Sequence, residues 1–301
     1  MKIALVTSAD YPHLSDDDRP LIPAFAARGA TAEPARWDDP AVRWAEYDLS
    51  ILRSCWDYHL RAAEFRAWLQ QLEDARVRVL NPPSLVRWNM DKRYLAGLRE
   101  KGMAIPRTVW LDRGEDIRLA EVLAGAAITQ AVVKPAISAS ATDTWRLHAA
   151  DADEHEPAFR ALLHRGDVMV QEFVNEVVSD GELSVVFIAG AFSHAVRKRP
   201  AAGDFRVQEH HGGTAKVVTP APEILAQAGR IAALLPAPWL YARIDGVIVG
   251  ETFTLMELEC IEPTLYLGAG AYDRFVVAAL ALADARTDDV PWPSIALVDR
   301  E

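Results

Sequence analysis

Two apolar segments in the last quarter of the chain carry charged side chains at alternate positions and flank Gly250-Glu251-Thr252. Apolar runs separated by such a short, glycine-containing segment predict an antiparallel hairpin. Because side chains alternate between the faces of a strand, Arg243 and Asp245 share one face, as do Glu257 and Glu259. A three-residue loop would place Asp245 opposite Glu257 and Arg243 opposite Glu259. This register gathers three carboxylates and one guanidinium on one patch.

Such a patch is unfavourable unless a cation neutralises it, and carboxylate oxygens suit Mg²⁺. Asp245, Glu257 and Glu259 are therefore candidate metal ligands. A solvated sheet face held by salt bridges would give the same charge pattern. We favour the metal site because neighbours such as Ile244 and Leu258 are too apolar for a free surface strand. A register shift of one residue would separate the pairs onto opposite faces.

The first eighty residues alternate between strand and helix patterns. The predicted strands are residues 2–7, 31–35, 48–52 and 76–80, and the predicted helices are residues 21–26 and 62–72. This alternation predicts a small doubly wound α/β domain with a parallel sheet, whose ligands bind at the carboxyl ends of the strands. Those ends are Ser8–Tyr11 and Arg53–Tyr58. Asn81-Pro82-Pro83 is a strong break and marks the first boundary.

From Trp88 onwards the pattern is typical of α+β lobes. Helices are predicted at residues 91–101, 222–235 and 275–285, and strands at residues 107–111, 131–134, 167–173, 182–188 and 192–198. The apolar helix 275–285 would either form a homo-oligomer contact or close the core, and a proline-containing tail follows it. His210-His211 lacks the spacing of a zinc site.

The composition limits the classes of partner. A net charge of −11 argues against bulk binding to nucleic acid or to anionic membranes. No apolar run approaches the ~18–20 residues of a membrane span, and the opening run is too short for a signal-peptide core. Only Cys55 and Cys260 are present, which excludes a disulfide framework. We expect a cytoplasmic protein. A nucleophilic pair of Cys55 with His59 is an alternative that no other residue supports.

Lys134 ends an apolar strand and precedes Pro135 and the small-residue loop 136–144. A lysine there can reach a phosphate while the loop backbone approaches it. The alternative is a solubilising strand-end lysine. Lys92, at the start of a predicted helix, is a weaker candidate for the same chemistry.

Two further segments are candidates for ligand binding. Gln171-Glu172-Phe173-Val174 could present backbone groups to a nucleobase, or it could be a plain strand end. Arg197-Lys198-Arg199, followed by Arg206, forms a basic segment in an acidic protein. Such a segment suggests an anionic ligand, whereas the alternative is a solvated hairpin end.

The succession of these motifs resembles the ATP-grasp superfamily, from about Trp88 to Leu267. The resemblance rests on Lys-Pro before a small-residue loop, Gln-Glu-Phe-Val, Ala-Arg-Ile-Asp at 242–245 and Met-Glu-Leu-Glu at 256–259. It implies an ATP-grasp fold in which an N-terminal domain precedes two α+β lobes that clamp ATP. The implied boundaries are residues 1–85 for the N-terminal domain, 86–173 for the central lobe and 174–301 for the C-terminal lobe.

The resemblance also implies roles, carried over position by position. Lys92 and Lys134 would hold the nucleotide phosphates. Glu172 and Val174 would present backbone to adenine, and Glu182 would bind the ribose.

The remaining implied roles concern the metal and the substrate. Two Mg²⁺ ions, with Mn²⁺ as a substitute, would be held by Asp245, Glu257 and Glu259. Arg243 would stabilise charge on the transferring phosphoryl group. Arg199 and Arg206 would face the substrate carboxylate and the γ-phosphate.

Two departures from the family pattern stand out. The phosphate-covering loop is usually rich in glycine, but 136–144 contains none, which puts lid closure in question. The last metal position is often asparagine, and here it is Glu259.

Within the superfamily, two motifs resemble the sequences of the O-ureido-D-serine cyclo-ligases of D-cycloserine biosynthesis. They are Arg53-Ser-Cys-Trp-Asp-Tyr and Glu257-Leu-Glu-Cys-Ile-Glu-Pro. This implies an amino-acid-like substrate whose carboxylate becomes an acyl phosphate that a nitrogen of the same molecule attacks. The pocket would lie between Arg53–Tyr58, Arg199, Arg206 and Glu262. The alternatives are a ligase that joins separate amino acids or peptides, and a non-catalytic ATP-binding regulatory protein.

Overall fold

A computed structural model of the chain describes residues 1–201, 203–204, 206–207 and 212–285. The pair His210-His211 and the tail from residue 286 lie outside these residues. The strands are β1 (Lys2–Thr7), β2 (Thr31–Arg36), β3 (Leu49–Ser54), β4 (Val79–Leu80), β5 (Thr108–Leu111), β6 (Gln130–Pro135), β7 (Trp145–His148), β8 (Val168–Glu172), β9 (Glu182–Ile188), β10 (Ala191–Arg199), β11 (Thr214–Val218), β12 (Tyr241–Val249) and β13 (Thr252–Glu259). The α-helices are α1 (Leu21–Ala26), α2 (Ala62–Asp74), α3 (Pro83–Met90), α4 (Tyr94–Glu100), α5 (Leu119–Gly125), α6 (Ala152–Arg165), α7 (Glu176–Ser179), α8 (Pro222–Ala232) and α9 (Tyr272–Asp284).

The N-terminal sheet has the order β2-β1-β3-β4, and every pairing in it is parallel. Alternate residues of β1 enter two cores, because Leu5 packs with α1 and α9 whereas Val6 packs with α2 and α3. The predicted doubly wound sheet is therefore confirmed. Helix α9 returns from the end of the described chain, and its Phe275 is fully buried in the first of these cores.

Two antiparallel sheets follow. The central sheet has the order β5-β8-β6-β7, and α5 and α6 pack with it in one core. The C-terminal sheet has the order β11-β10-β9-β12-β13, and α4 and α8 pack against one face. Its other face has two parts. Val186 and Tyr241 pack against the N-terminal domain, whereas the next positions on this face, such as Arg243 and Asp245, are charged.

Several elements differ from the sequence prediction. Helix α3 was not predicted, although Pro83 occupies the first turn of a helix, where a missing N–H is tolerated. Strands β7 and β11 were also not predicted. The predicted strand 76–80 is reduced to β4, because α2 extends further and Arg76 adopts a left-handed conformation with φ of 54°.

The carboxylate hairpin has the predicted register but not the predicted loop. Val249 pairs with Thr252, so the loop has two residues instead of three. The pairing then shifts by one residue between Asp245 and Gly246, with the extra residue, Met256, on β13. This bulge restores the predicted pairing of Asp245 with Glu257.

No α-helix in the described part of the chain is long and apolar enough to cross a membrane.

Candidate active site

A cleft with a volume of about 760 Å³ opens between the three sheets. The loops after β1 and β3, strand β6 with the loop 136–144, the segment 171–174 and the charged face of the C-terminal sheet line it. The predicted site residues that line this cleft are Lys92, Lys134, Glu172, Val174, Glu182, Arg206, Arg243, Asp245, Glu257 and Glu259. Arg199 is exposed at the end of β10 and lies outside the lining.

Strand pairing places the charged residues of the C-terminal sheet in register. Ser184, Asp245 and Glu257 face one another across β9, β12 and β13. Glu182 pairs with Lys198 of β10 in the same way. The charged patch therefore extends over more strands than the hairpin alone.

Asp245 lies at the centre of this patch and is buried. It accepts hydrogen bonds from Ser184 Oγ at 2.6 Å, from Lys198 Nζ at 2.9 Å and from the Arg243 guanidinium at 2.8 Å. Burial alone would raise the pKa of Asp245, but Arg243 and Lys198 hold it well below its ordinary value. Asp245 is therefore a fixed anion that orients two cations.

The sequence pattern places Lys198 in a basic segment but assigns this residue no role of its own in the site. Its ammonium lies 2.5 Å from Glu182 Oε1 and 2.9 Å from Asp245 Oδ2, and the residue is buried. Strand alternation carried through to residue 199 would have pointed Lys198 inward and Arg199 outward. Arg206 lines the cleft and forms an ion pair with Asp204 at 2.8 Å.

Glu257 and Glu259 are the less buried carboxylates of the patch, with side chains 32% and 23% exposed. Glu257 lies 3.1 Å from Lys92 Nζ, and Glu259 forms an ion pair with Arg243. Burial would raise the pKa of Glu257, but Lys92 and Lys134 lower it. For Glu259, burial and repulsion from Glu257 prevail and raise the pKa to about 7.

In the described residues, no group of three His, Cys, Asp or Glu side chains is assembled for a metal ion. Each carboxylate of the patch contacts a basic side chain instead. The chemistry of the donors nevertheless suits Mg²⁺, because Glu257 and Glu259 offer hard oxygens to the cleft. The side chain of Asp245 would need to release a basic partner before it could join them.

Two lysines lie next to these carboxylates. Lys92 sits between α3 and α4, where its N–H donates to Ala136 O at 2.9 Å and its ammonium to Ser138 O at 2.5 Å. The ammonium group of Lys134, near the end of β6, has no hydrogen-bond or ion-pair partner among the described residues. Burial lowers the pKa of Lys134, and an anionic ligand beside it would favour its charged form.

The loop 136–144 lines the cleft beside these lysines. Ser140, Ala141 and Asp143 have φ values of 54°, 55° and 52°. The loop therefore adopts left-handed backbone conformations without the glycines that usually supply them.

The segment that joins β8 to α7 contributes backbone groups to the cleft. The N–H of Glu172 donates to Arg107 O at 2.7 Å, and the N–H of Phe173 donates to Gln130 O at 2.9 Å. The N–H of Val174 has no partner within the part of the chain that the structure describes.

The N-terminal domain contributes Trp56–Tyr58 to the cleft, but not Arg53. Arg53 is completely buried, with Nε 2.8 Å from Asp18 Oδ1, and supports the wall from behind. Cys55 is also buried, and its thiol donates to Val6 O at 3.3 Å. Burial raises the pKa of Cys55 well above its ordinary value, which argues against the nucleophilic role considered for it with His59.

The arrangement of three sheets around one charged cleft matches known structures. The chain superposes on a D-alanine–D-alanine ligase from Bacillus anthracis complexed with ATP, with a TM-score of 0.68 and 16% identity. The match covers 94% of this chain and 97% of that one. The fold is that of the ATP-grasp ligases.

Three comparisons identify the family of this chain within the ATP-grasp ligases. The family description D-cycloserine synthetase DcsG, N-terminal domain, matches residues 3–81. A cycloserine biosynthesis protein DcsG from Streptomyces lavendulae is 31% identical over 281 residues, which span 88% of this chain and 92% of that protein. A crystal structure of D-cycloserine synthetase DcsG superposes with a TM-score of 0.83 and 29% identity, covering 94% of this chain and 100% of the other. This chain belongs to the DcsG family of ATP-grasp ligases.

Proposed function

We propose that this ligase uses ATP and Mg²⁺ to activate the carboxylate of O-ureido-D-serine and to close its ring. The observation that carries the phosphoryl-transfer part is the proximity of Lys92 and Lys134 to the carboxylates Glu257 and Glu259 in one cleft. The narrower choice of substrate is supported by the relatives named for cycloserine biosynthesis and synthesis.

For the nucleotide, Lys134 is the stronger phosphate ligand because its ammonium has no counterion among the described residues. Lys92 would exchange Glu257 for a phosphate oxygen. Val174 would offer its N–H, and Glu172 its carbonyl, to the adenine edge. The second oxygen of Glu182 would accept from a ribose hydroxyl while Lys198 holds the first.

The metal ligands would be Glu257 and Glu259. Asp245 would become a third ligand when Arg243 or Lys198 releases it and binds phosphate instead. Two ions are expected, and Mn²⁺ should substitute. Bound Mg²⁺ would neutralise the phosphate oxygens. Glu259 in place of the usual asparagine adds a negative charge that strengthens the attraction for a divalent cation.

In the reaction, a substrate carboxylate oxygen bonds to the γ-phosphorus and ADP leaves. The nitrogen bonded to the side-chain oxygen then attacks the acyl carbon, and phosphate leaves with the ring closed. Arg243, already held by Asp245, would stabilise the charge that develops in both steps. Arg206 lines the cleft and is retained as a γ-phosphate or carboxylate ligand. Arg199 lies outside the lining, and we assign it no role.

The test is ADP formation from ATP and Mg²⁺, measured with O-ureido-D-serine and with a panel of plain amino acids. Stimulation by the ureido compound alone is expected, with a product whose mass is one substrate molecule less water. If water then hydrolyses the carbamoyl group from the ring nitrogen, the mass is lower by that group as well. A product containing two amino-acid units would replace cyclisation by intermolecular ligation. Nucleotide binding without stimulation by any compound would favour a regulatory protein.

A further inference from the structure

The segment that follows β13 is held in place by a series of side chains. The carbonyl oxygens of four successive residues, 261–264, each accept a hydrogen bond from a side chain. The donors are Tyr241 to Ile261 (2.7 Å), Trp56 to Glu262 (2.8 Å), Arg53 to Pro263 (2.7 Å) and Arg243 to Thr264 (2.9 Å). Two donors come from β12 and two from the end of β3 and the loop after it, so both the N-terminal domain and the C-terminal sheet fix this segment.

Glu262 is the acidic residue of this segment. The residue is 6% exposed, lines the cleft, and has no partner for its carboxyl group among the described residues. The other buried or half-buried carboxylates of the cleft face each have a basic partner. Leaving a buried carboxylate without a basic partner is unfavourable unless a ligand supplies the positive charge.

The surroundings of Glu262 suit an organic cation. Trp56 and Tyr11 meet edge to face, with ring centroids 4.6 Å apart, and Tyr58 lies on the same wall. Carboxylates and aromatic faces together attract ammonium groups. Burial and repulsion from Glu259 raise the pKa of Glu262 to about 8, as expected where a positive charge is missing.

We propose that Glu262 binds the α-ammonium group of the substrate and so makes the enzyme selective for amino acids over other carboxylic acids. The inference rests on the proposed ligase function. The Arg243 guanidinium donates to Thr264 O, two residues further along the segment that carries Glu262, so the ammonium would sit close to a substrate carboxylate that contacts Arg243. An amino group on the carbon next to that carboxylate has this spacing.

The test compares wild type with E262Q by calorimetry in the presence of Mg²⁺ and a non-hydrolysable ATP analogue. The ligands are O-ureido-D-serine and its counterpart without the amino group, 3-(ureidooxy)propanoate. Wild type should prefer the amino ligand about 10- to 100-fold, as expected for a charged hydrogen bond, and E262Q should lose the preference. Both proteins should bind the counterpart alike. D10N changes an exposed carboxylate of the same cleft and should keep the wild-type preference.

If E262Q weakens the binding of both ligands equally, or changes the Mg²⁺ dependence of binding, the proposal is overturned in favour of a structural or metal role for Glu262. In turnover, E262Q should raise KM for the amino substrate and leave KM for ATP unchanged. If O-ureido-D-serine supports no ADP formation, the same comparison is made with D-serine and 3-hydroxypropanoate. If wild type prefers D-serine and E262Q does not, the role of Glu262 stands although the cyclisation assignment fails. If wild type shows no preference for D-serine, the role of Glu262 is overturned.

Discussion

Replacing Lys198 with methionine removes the cation that bridges Glu182 and Asp245 at the buried side of the cleft. Losing one partner of a buried ion pair costs about 3–5 kcal/mol, because the remaining charge stays desolvated. The lower end of this range applies here, since Asp245 keeps Arg243 and Ser184. Glu182 has no other ion-pair partner among the described residues. We therefore expect Lys198→Met to lower the free energy of unfolding by about 3 kcal/mol at neutral pH.

The loss should depend on pH with a definite sign. Burial already raises the pKa of Glu182 in the folded protein, and removing Lys198 raises it further. Well below the pKa of an unfolded glutamate, the carboxyl group is protonated in both states, and this part of the loss disappears. Above the folded pKa of the variant the full loss remains. The destabilisation should thus be larger at about pH 8 than at about pH 5.

Urea unfolding of wild type and Lys198→Met at both pH values measures this difference. Lys216→Met is the matched control, because Lys216 is exposed on the neighbouring strand β11 and lies outside the cleft lining. It should change stability by less than about 0.5 kcal/mol. An equal loss for both variants, or a larger loss for Lys198→Met at the lower pH, would contradict the account of Lys198 as a bridging cation.

Glu257→Gln should abolish ADP formation while the protein stays folded, with a higher Mg²⁺ requirement in any residual turnover; unchanged turnover would remove Glu257 from the metal site. Tyr241→Phe should destabilise by about 1–2 kcal/mol, because its hydroxyl shares a hydrogen bond between Leu52 O (2.6 Å) and Ile261 O (2.7 Å). Thermal unfolding checks this value, and an unaltered midpoint would show that water replaces the hydroxyl.

The register of the carboxylate hairpin was predicted correctly although its turn was not. The expected loop had one residue too many, and the bulge at Met256 adds one residue to β13 that the pattern of alternation cannot reveal. The two differences cancel at Asp245 and Glu257. A bulge depends on local packing: a side chain at Gly246 would collide with the Phe253 ring and the backbone of Thr254. Such contacts exist only after the strands have paired.

Other parts of the site depend on long-range contacts that periodicity does not encode. The N-terminal sheet and Lys134 follow from apolar runs and a strand end, which are local signals. Arg53 was expected at the pocket because it ends a strand. Its partner Asp18 lies 35 residues away, and the pair withdraws Arg53 into the core. Lys198 was read as part of a flexible basic segment, so its inward face was not considered.

Lys134 and Glu262 are a basic and an acidic residue inside one cleft, and the side chain of each lacks a hydrogen-bond or ion-pair partner among the described residues. Burial shifts the pKa of both groups most; after burial, Glu257 and Lys92 act on the pKa of Lys134, whereas Glu259 and Arg243 act on that of Glu262. Different neighbours imply different ligands, so Lys134→Ala should raise KM for ATP alone, by about 10-fold or more. Since burial penalises the charged form of Lys134, this variant should not lose stability. Variants that act on separate ligands have additive free energies, so the double variant should show the KM for ATP of Lys134→Ala and the KM for the amino substrate of Glu262→Gln, each changed by the same factor as in the single variant. A single variant that raises both KM values, or a double variant in which the two changes are not independent, would mean that both side chains serve one ligand, and the division of the cleft into a nucleotide side and an ammonium side would be wrong.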